Sequence, residues 1–190
     1  MRIKCCGITR PDDARFAEAC GADAIGVVIF SPASLRNVTP ARAREIFDAV
    51  GPFTTRVAVS HTTSDNDLEQ IISLNPDAIQ ISHPFVFLNK PGARVIRVIG
   101  REKPLPEDCE AIIVDESHGS GRDFDRSYAR DVVGRAKVPV ILAGGLNPEN
   151  VAEAIRQVQP YAVDVASGIE KVPGIKDHRK IAAFIAAARS

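Results

Sequence analysis

The sequence predicts an α/β chain folded as a single (β/α)8, or TIM, barrel over residues 1–190, with shortened or missing helices after its fourth and fifth strands. Three observations carry this expectation. Apolar runs alternate with amphipathic, capped stretches from end to end, the rhythm of parallel strands joined by helical crossovers. The runs are near-continuous in hydrophobicity, as in Ile25, Val27, Val28, Ile29 and Phe30, which suits strands covered on both faces. Eight such runs can be placed, the number that closes a barrel of about 200 residues or more. An open doubly wound sheet would want fewer strands and an early glycine-rich fingerprint, which Gly7 alone does not supply.

The elements follow in order. Arg2-Ile3-Lys4-Cys5-Cys6 forms a strand that spills into a loop. Alternation of side chains puts Lys4 and Cys6 on one face, Ile3 and Cys5 on the other. A helix over 11–20 has Pro11 at its first position, Asp12 and Asp13 in its first turn and Gly21 for its C-cap. Strand 24–30 and a loop over 31–38 precede a helix capped by Thr39-Pro40 and running to about 50. Strand 56–59, a helix over 64–74 capped by Ser64 or Asp65, and strand 78–82 come next. Segments 83–92 and 101–108 are too cramped for full helices and flank strand 94–99. Strand 111–114, a helix over 123–137, strand 138–142, a helix opened by Asn147-Pro148, strand 161–166 and a helix over 177–189 complete the chain.

Composition narrows the partners. The 24 lysines and arginines balance the 24 aspartates and glutamates without a long basic run, so nucleic-acid and membrane-surface roles lack their electrostatic footprint. Nothing approaches the roughly 20 apolar residues of a membrane span. Cys5, Cys6, Cys20 and Cys109 form no C-x-x-C pair, as expected of free thiols in a reducing, cytoplasmic setting. His61, His83, His118 and His178 have no ligand spacing, and no metal is expected. The expected partner is a small molecule.

Barrels of this type carry their sites at the carboxyl ends of the strands. That rule selects Cys6, Arg36, Gln80, Asp115, Gly144, Gly145, Asp164, Ser167 and Gly168. The glycine elements after the seventh and eighth strands have the pattern of a backbone phosphate cradle, or of two tight turns. Asp115, followed by Gly119-Ser120-Gly121, is an acid under a closing loop or a simple cap. Cys6 is a thiolate favoured by the charge of Lys4, or a small buried thiol, the fate expected for Cys5, Cys20 and Cys109. Arg36 offers its planar fork to a carboxylate or lies on the surface.

Taken together, Lys4-Cys5-Cys6-Gly7-Ile8-Thr9, Ser31-Pro32 leading to Arg36, Val114-Asp115 with 119–125, Ala143-Gly144-Gly145-Leu146, 163–170 and Pro173-Gly174-Ile175-Lys176-Asp177 resemble the phosphoribosylanthranilate isomerases of tryptophan biosynthesis. The resemblance runs the full length, and it implies a phosphorylated small-molecule substrate bound by a monomer or homodimer, since the family includes both. It implies a cofactor-free Amadori rearrangement of N-(5-phosphoribosyl)anthranilate to the 1-deoxyribulose form. By the same likeness Cys6 is the general base at the ribose C2 and Asp115 the general acid at the ring oxygen. Arg36 and Asp164 then bind the carboxylate and the region of the amine, Gln80 contributes to substrate binding, and Gly144, Gly145, Ser167 and Gly168 hold the 5-phosphate. Two places depart from the family pattern: Gln80-Ile81-Ser82-His83-Pro84, where the family commonly has Gln-Leu-His-Gly, and Val59-Ser60-His61. Related phosphate-binding barrels, or a non-catalytic one, are the alternatives. Indole-glycerol-phosphate synthases want lysine and glutamate at strand ends and ribulose-phosphate epimerases want metal-binding histidines, and the strand ends here offer neither set.

Overall fold

The computed structural model describes residues 1–87, 91–100, 104–115 and 126–190. Its elements are β1 (Arg2–Cys5), α1 (Pro11–Cys20), β2 (Ala24–Ile29), β3 (Asn37–Val38), α2 (Pro40–Phe47), β4 (Thr55–Ser60), α3 (Asp65–Ser73) and β5 (Ala78–Ile81). They continue with β6 (Arg94–Ile99), β7 (Ala111–Val114), α4 (Arg126–Arg135), β8 (Val140–Leu142), α5 (Val151–Val158) and β9 (Ala162–Val165). A 3-10 turn over Ser167–Ile169, β10 (Glu170–Val172), β11 (Ile175–Lys176) and α6 (His178–Arg189) follow. The sheet runs β1-β9-β8-β7-β6-β5-β4-β2, with β1 also pairing β2. Every pairing in it is parallel. Eight strands therefore close into the barrel that the alternating pattern predicts.

Local chemistry sets the element ends. Thr39, Ser64 and Asp177 accept hydrogen bonds from the first-turn N–H groups of α2, α3 and α6, satisfying donors that a helix start leaves open. Gly21 takes φ +100° after α1 and its N–H returns to Glu18, the left-handed stop that glycine accommodates. On α6, Ile181, Phe184, Ile185 and Ala188 recur at helical spacing and are buried against the outside of the barrel, each large side chain contributing about 1.5–3 kcal/mol. The outer core also takes Ile3 and Cys5, whereas Cys6, Val28, Val57, Val59, Ile96, Val98, Ile113 and Ile141 fill the barrel's interior. The parity expected of the adjacent cysteines holds.

Several boundaries differ from expectation, each for a local reason. Phe30 leaves β2 with φ +49°. The stretch read as a loop over 31–38 contains β3, which pairs with β2 outside the closed ring, because the Asn37 side chain accepts from the Ser31 N–H at 2.8 Å and folds the loop back. The helix expected from Asn147-Pro148 begins at Val151, although the Asn147 side chain does accept from the N–H groups of Glu149 and Asn150. It caps a turn that precedes the helix. Strand 138–142 shortens to β8, and the expected helix over 123–137 is described from Arg126. Among the described residues no helix joins β5 to β6 or β6 to β7, as the prolines and short spacing suggested. Residues 119–121 lie outside the described residues. The hairpin of β10 and β11 was not expected.

Candidate active site

A cavity of about 480 Å³ opens at the carboxyl ends of the strands and is lined by Cys6, Arg36, Gln80, Asp115 and Asp164, with His61 and apolar Val28, Val59 and Val98. The barrel thus gathers five predicted site residues from separate strands and loops. A larger cavity, about 820 Å³, lies by the amino ends of β5 to β7, bounded by Arg56, Asp77, Phe87, Arg94 and Glu110. It contains none of the predicted site residues.

Cys6 follows β1 on the interior face and its N–H bonds to Val165 at 2.8 Å. Lys4, one pleat below, donates to Asp164 Oδ1 at 2.7 Å, with both side chains buried. A side chain at Gly26 on β2 would lie 2.8 Å from Cys6 Sγ and 3.0 Å from Lys4 Nζ. The missing Cβ is what lets thiol and ammonium share that point inside the barrel. Charge balance there departs from the simple expectation that Lys4 lowers the thiol pKa. Burial, and then the Asp164 carboxylate, push the Cys6 thiol up, while Lys4 acts in the opposite direction by charge and hydrogen bonding. Burial alone would lower the Lys4 pKa, but its attraction to Asp164 keeps the ammonium charged. Cys5, facing the outer core, is pushed up to about 12, first by desolvation, and is an inert buried thiol. Cys20 and Cys109 are only partly buried, contrary to expectation, because Cys20 ends α1 at its outer rim and Cys109 lies in the irregular segment before β7, on the larger cavity.

Asp115 follows β7 and its N–H reaches Ile99 at 3.4 Å. It acts electrostatically on Asp164 across the cavity. Gln80 is buried, and among the described residues its Oε1 has no hydrogen-bond partner. A buried acceptor left in that state costs about 1–3 kcal/mol, so it suits a donor supplied by a ligand. Ser82, at the altered strand rim, bonds His61 at 3.3 Å.

The glycine elements stand beside this cavity without lining it. Gly144 and Gly145 take φ +94° and +62° after β8. Asn150 Nδ2 holds the Gly145 carbonyl at 2.9 Å. Gly168 lies against the same loop, since a Cβ there would be 2.0 Å from the Leu146 carbonyl oxygen. The two expected phosphate elements are therefore packed on each other at the ends of neighbouring strands.

Arg36 is neither on the surface nor unpaired. Its Nε and Nη2 donate to the two oxygens of Glu170 at 2.8 and 2.7 Å. Glu170 Oε1 also accepts from Lys176 Nζ at 3.0 Å and from the Gly174 N–H at 3.2 Å. Sequence reasoning missed Glu170 and Lys176. Their signal was Pro173-Gly174 between short extended stretches, a turn composition, with Glu170 and Lys176 directly opposite in the β10–β11 register.

Residues 3–187 match the family model described as N-(5'phosphoribosyl)anthranilate (PRA) isomerase. The chain belongs to that family. Among its relatives, the N-(5'-phosphoribosyl)anthranilate isomerase of Methanoregula boonei is 65% identical over all of this chain and 97% of its own length. That of Methanopyrus kandleri is 41% identical over all of this chain and 99% of its own. The crystal structure of the Thermus thermophilus isomerase superposes with a TM-score of 0.86 at 33% identity, covering 100% of this chain and 98% of the other. Another isomerase, solved in complex with reduced 1-(o-carboxyphenylamino)-1-deoxyribulose 5-phosphate, gives a TM-score of 0.82 at 33% identity, with 100% and 98% coverage. This phosphoribosylanthranilate isomerase family member thus has the fold of its solved relatives along its whole described length.

Proposed function

We propose that this chain converts N-(5-phosphoribosyl)anthranilate to 1-(2-carboxyphenylamino)-1-deoxyribulose 5-phosphate, with Cys6 as general base and Asp115 as general acid. The observation that carries the assignment is the convergence of the Cys6 thiol and the Asp115 carboxyl group, from the ends of β1 and β7, on a single cavity at the barrel mouth. Protonation of the furanose ring oxygen by Asp115 breaks its bond to C1, and the anthranilate nitrogen supplies the electron pair that forms the iminium. The Cys6 thiolate then takes the C2 proton, and its electron pair forms the enolamine. Transfer of the enol proton and protonation at C1 give the 2-ketone. Acid and base of different chemical type suit the two ends of this proton traffic.

Burial opposes the Cys6 thiolate, and Lys4, with Lys176 beyond it, offsets part of that cost. Gln80 Oε1 accepts from a substrate hydroxyl or amine, Asp164 faces the amine, and Arg36 meets the anthranilate carboxylate. Gly144, Gly145, Ser167 and Gly168 cradle the 5-phosphate through backbone N–H groups. The reaction belongs to the cytoplasmic segment of tryptophan biosynthesis, a setting supported by four free cysteines.

The test is direct. Substrate generated in place from anthranilate and phosphoribosyl pyrophosphate by the transferase is fluorescent, and adding this protein should remove that fluorescence with saturation kinetics. Folded protein that leaves confirmed substrate unchanged would sink the proposal.

A further inference from the structure

The β10–β11 hairpin has no part in closing the barrel, yet it buries two charges, Glu170 at 5% and Lys176 at 3% exposure. Buried charges are expensive unless they are paired and hydrogen-bonded. Here every link leads to Arg36. Lys176 Nζ bonds Glu170 and also the Ala166 carbonyl at 2.9 Å, fixing the carboxylate to the end of β9. The Thr9 hydroxyl donates to the Gly174 carbonyl at 2.6 Å and ties the hairpin tip to the loop after β1. Gly7, at φ +69°, has no Cβ to block Arg36, whose Cδ lies 2.4 Å from where one would stand. The first and last motifs of the chain thus meet around one guanidinium.

The geometry of the fork determines what is left for a ligand. Glu170 takes the Nε and one Nη2 hydrogen, the side edge of the guanidinium. The end edge, carrying Nη1 and the second Nη2 hydrogen, has no acceptor among the described residues. That edge presents two parallel N–H bonds, the pattern that binds a carboxylate bidentately. Charge follows the same division. Lys176 neutralises Glu170, so the positive charge of Arg36 is not cancelled by its own tether.

We propose that Glu170, anchored by Lys176, is the positioning residue that aims the end edge of Arg36 at the substrate carboxylate, making the hairpin a specificity determinant for ribosylamines that carry an ortho-carboxylate. This rests on the isomerase reading above and extends it to residues that touch no reacting atom. The mouth cavity is lined by Arg36 and Pro173 together, so the hairpin and the guanidinium it holds border the same space.

The test is a double-mutant cycle of Glu170→Gln and Arg36→Met in the full-length enzyme, read as KM and kcat separately. Glu170→Gln keeps the side-chain size but loses the charge that orients the fork. KM should rise about tenfold or more, a loss of about 1.4 kcal/mol, with kcat within about threefold of wild type. On the Arg36→Met background the same substitution should add less than about twofold. A KM within twofold of wild type, or an equal factor on both backgrounds, overturns the assignment. If Glu170→Gln does not fold, Glu170→Asp keeps the charge while withdrawing it by one carbon. Its KM should rise severalfold, and a wild-type KM there also overturns the proposal. An inactive wild-type enzyme would overturn both this and the isomerase reading, whereas an active wild type with an unaffected Glu170→Gln overturns this one alone.

Discussion

The two sides of the barrel use buried charge for different ends. Around β1, β2 and β9 the wall is completed by α1, α2 and α6, and buried charges gather near the mouth: Lys4 on Asp164, and Arg36 and Lys176 on Glu170. Between β5 and β6 and between β6 and β7 no helix crosses over the sheet among the described residues. There the buried Arg97 of β6 points outward. Its guanidinium donates to the carbonyls of His83 and Phe85 at 2.7 Å each and to Asp108 at 2.5 Å, fastening irregular segments where a helix would otherwise lie. One side gathers its charges at the cavity of the barrel mouth and the other uses them to replace packing. A barrel can omit helices where the backbone carbonyls of the replacement loops still find donors.

The sharpest test of that division lies on adjacent residues of β1 and its loop. Cys6→Ser should lower kcat by a factor of about 10² or more, the usual worth of a positioned base, with little change in thermal stability. Cys5→Ser should do the reverse: near-normal kcat per folded molecule, with a stability loss of about 1–3 kcal/mol from a hydroxyl buried in the outer core. Equal activity losses in the two variants would erase the distinction between the faces.

Titration offers an intermediate effect. Because burial and Asp164 push the Cys6 thiol up, its thiolate fraction grows with pH through the ordinary thiol range near 8.5. Alkylation of Cys6 by iodoacetamide, followed on its own peptide by mass spectrometry, should accelerate about tenfold per pH unit from about 7 to 8.5. A plateau below that range would mean that Lys4 outweighs burial after all.

On the helix-poor side the expected changes are in stability alone. Arg97→Leu leaves two loop carbonyls without donors and should lower unfolding free energy by about 2–4 kcal/mol while kcat per folded molecule stays near wild type. Asp108→Ala should cost less than about 1 kcal/mol, since that carboxylate is 62% exposed and its pairing is screened by water. A large loss of kcat in Arg97→Leu would show that the two sides are coupled.

Much of the fold was legible because its determinants are local. Pro11, Asp12, Asp13 and Gly21 bracket α1 by capping chemistry, and the near-continuous apolar run at 24–30 marks a doubly covered strand, one residue longer than β2. Side-chain parity alone separates Cys6 from Cys5. The strand-end rule drew Cys6, Gln80, Asp115 and Asp164 together, and the structure places all four on one cavity. What escaped notice were contacts between residues far apart in the chain. Lys4 and Asp164 are 160 positions apart and Arg36 and Glu170 are 134 apart, and no local spacing encodes either pair.

By itself, then, the sequence determined the number of barrel strands, which face of β1 looks inward, and which residues stand at strand ends, since propensity, capping and alternation act within a few residues. Only the tertiary structure decided how those residues are charged and held. It committed Lys4 to Asp164, raised rather than lowered the Cys6 thiol, and turned the Pro173-Gly174 stretch into the mount for Arg36. Desolvation and ion pairing depend on what closure of the barrel brings within a few ångströms, and closure joins the two ends of the chain.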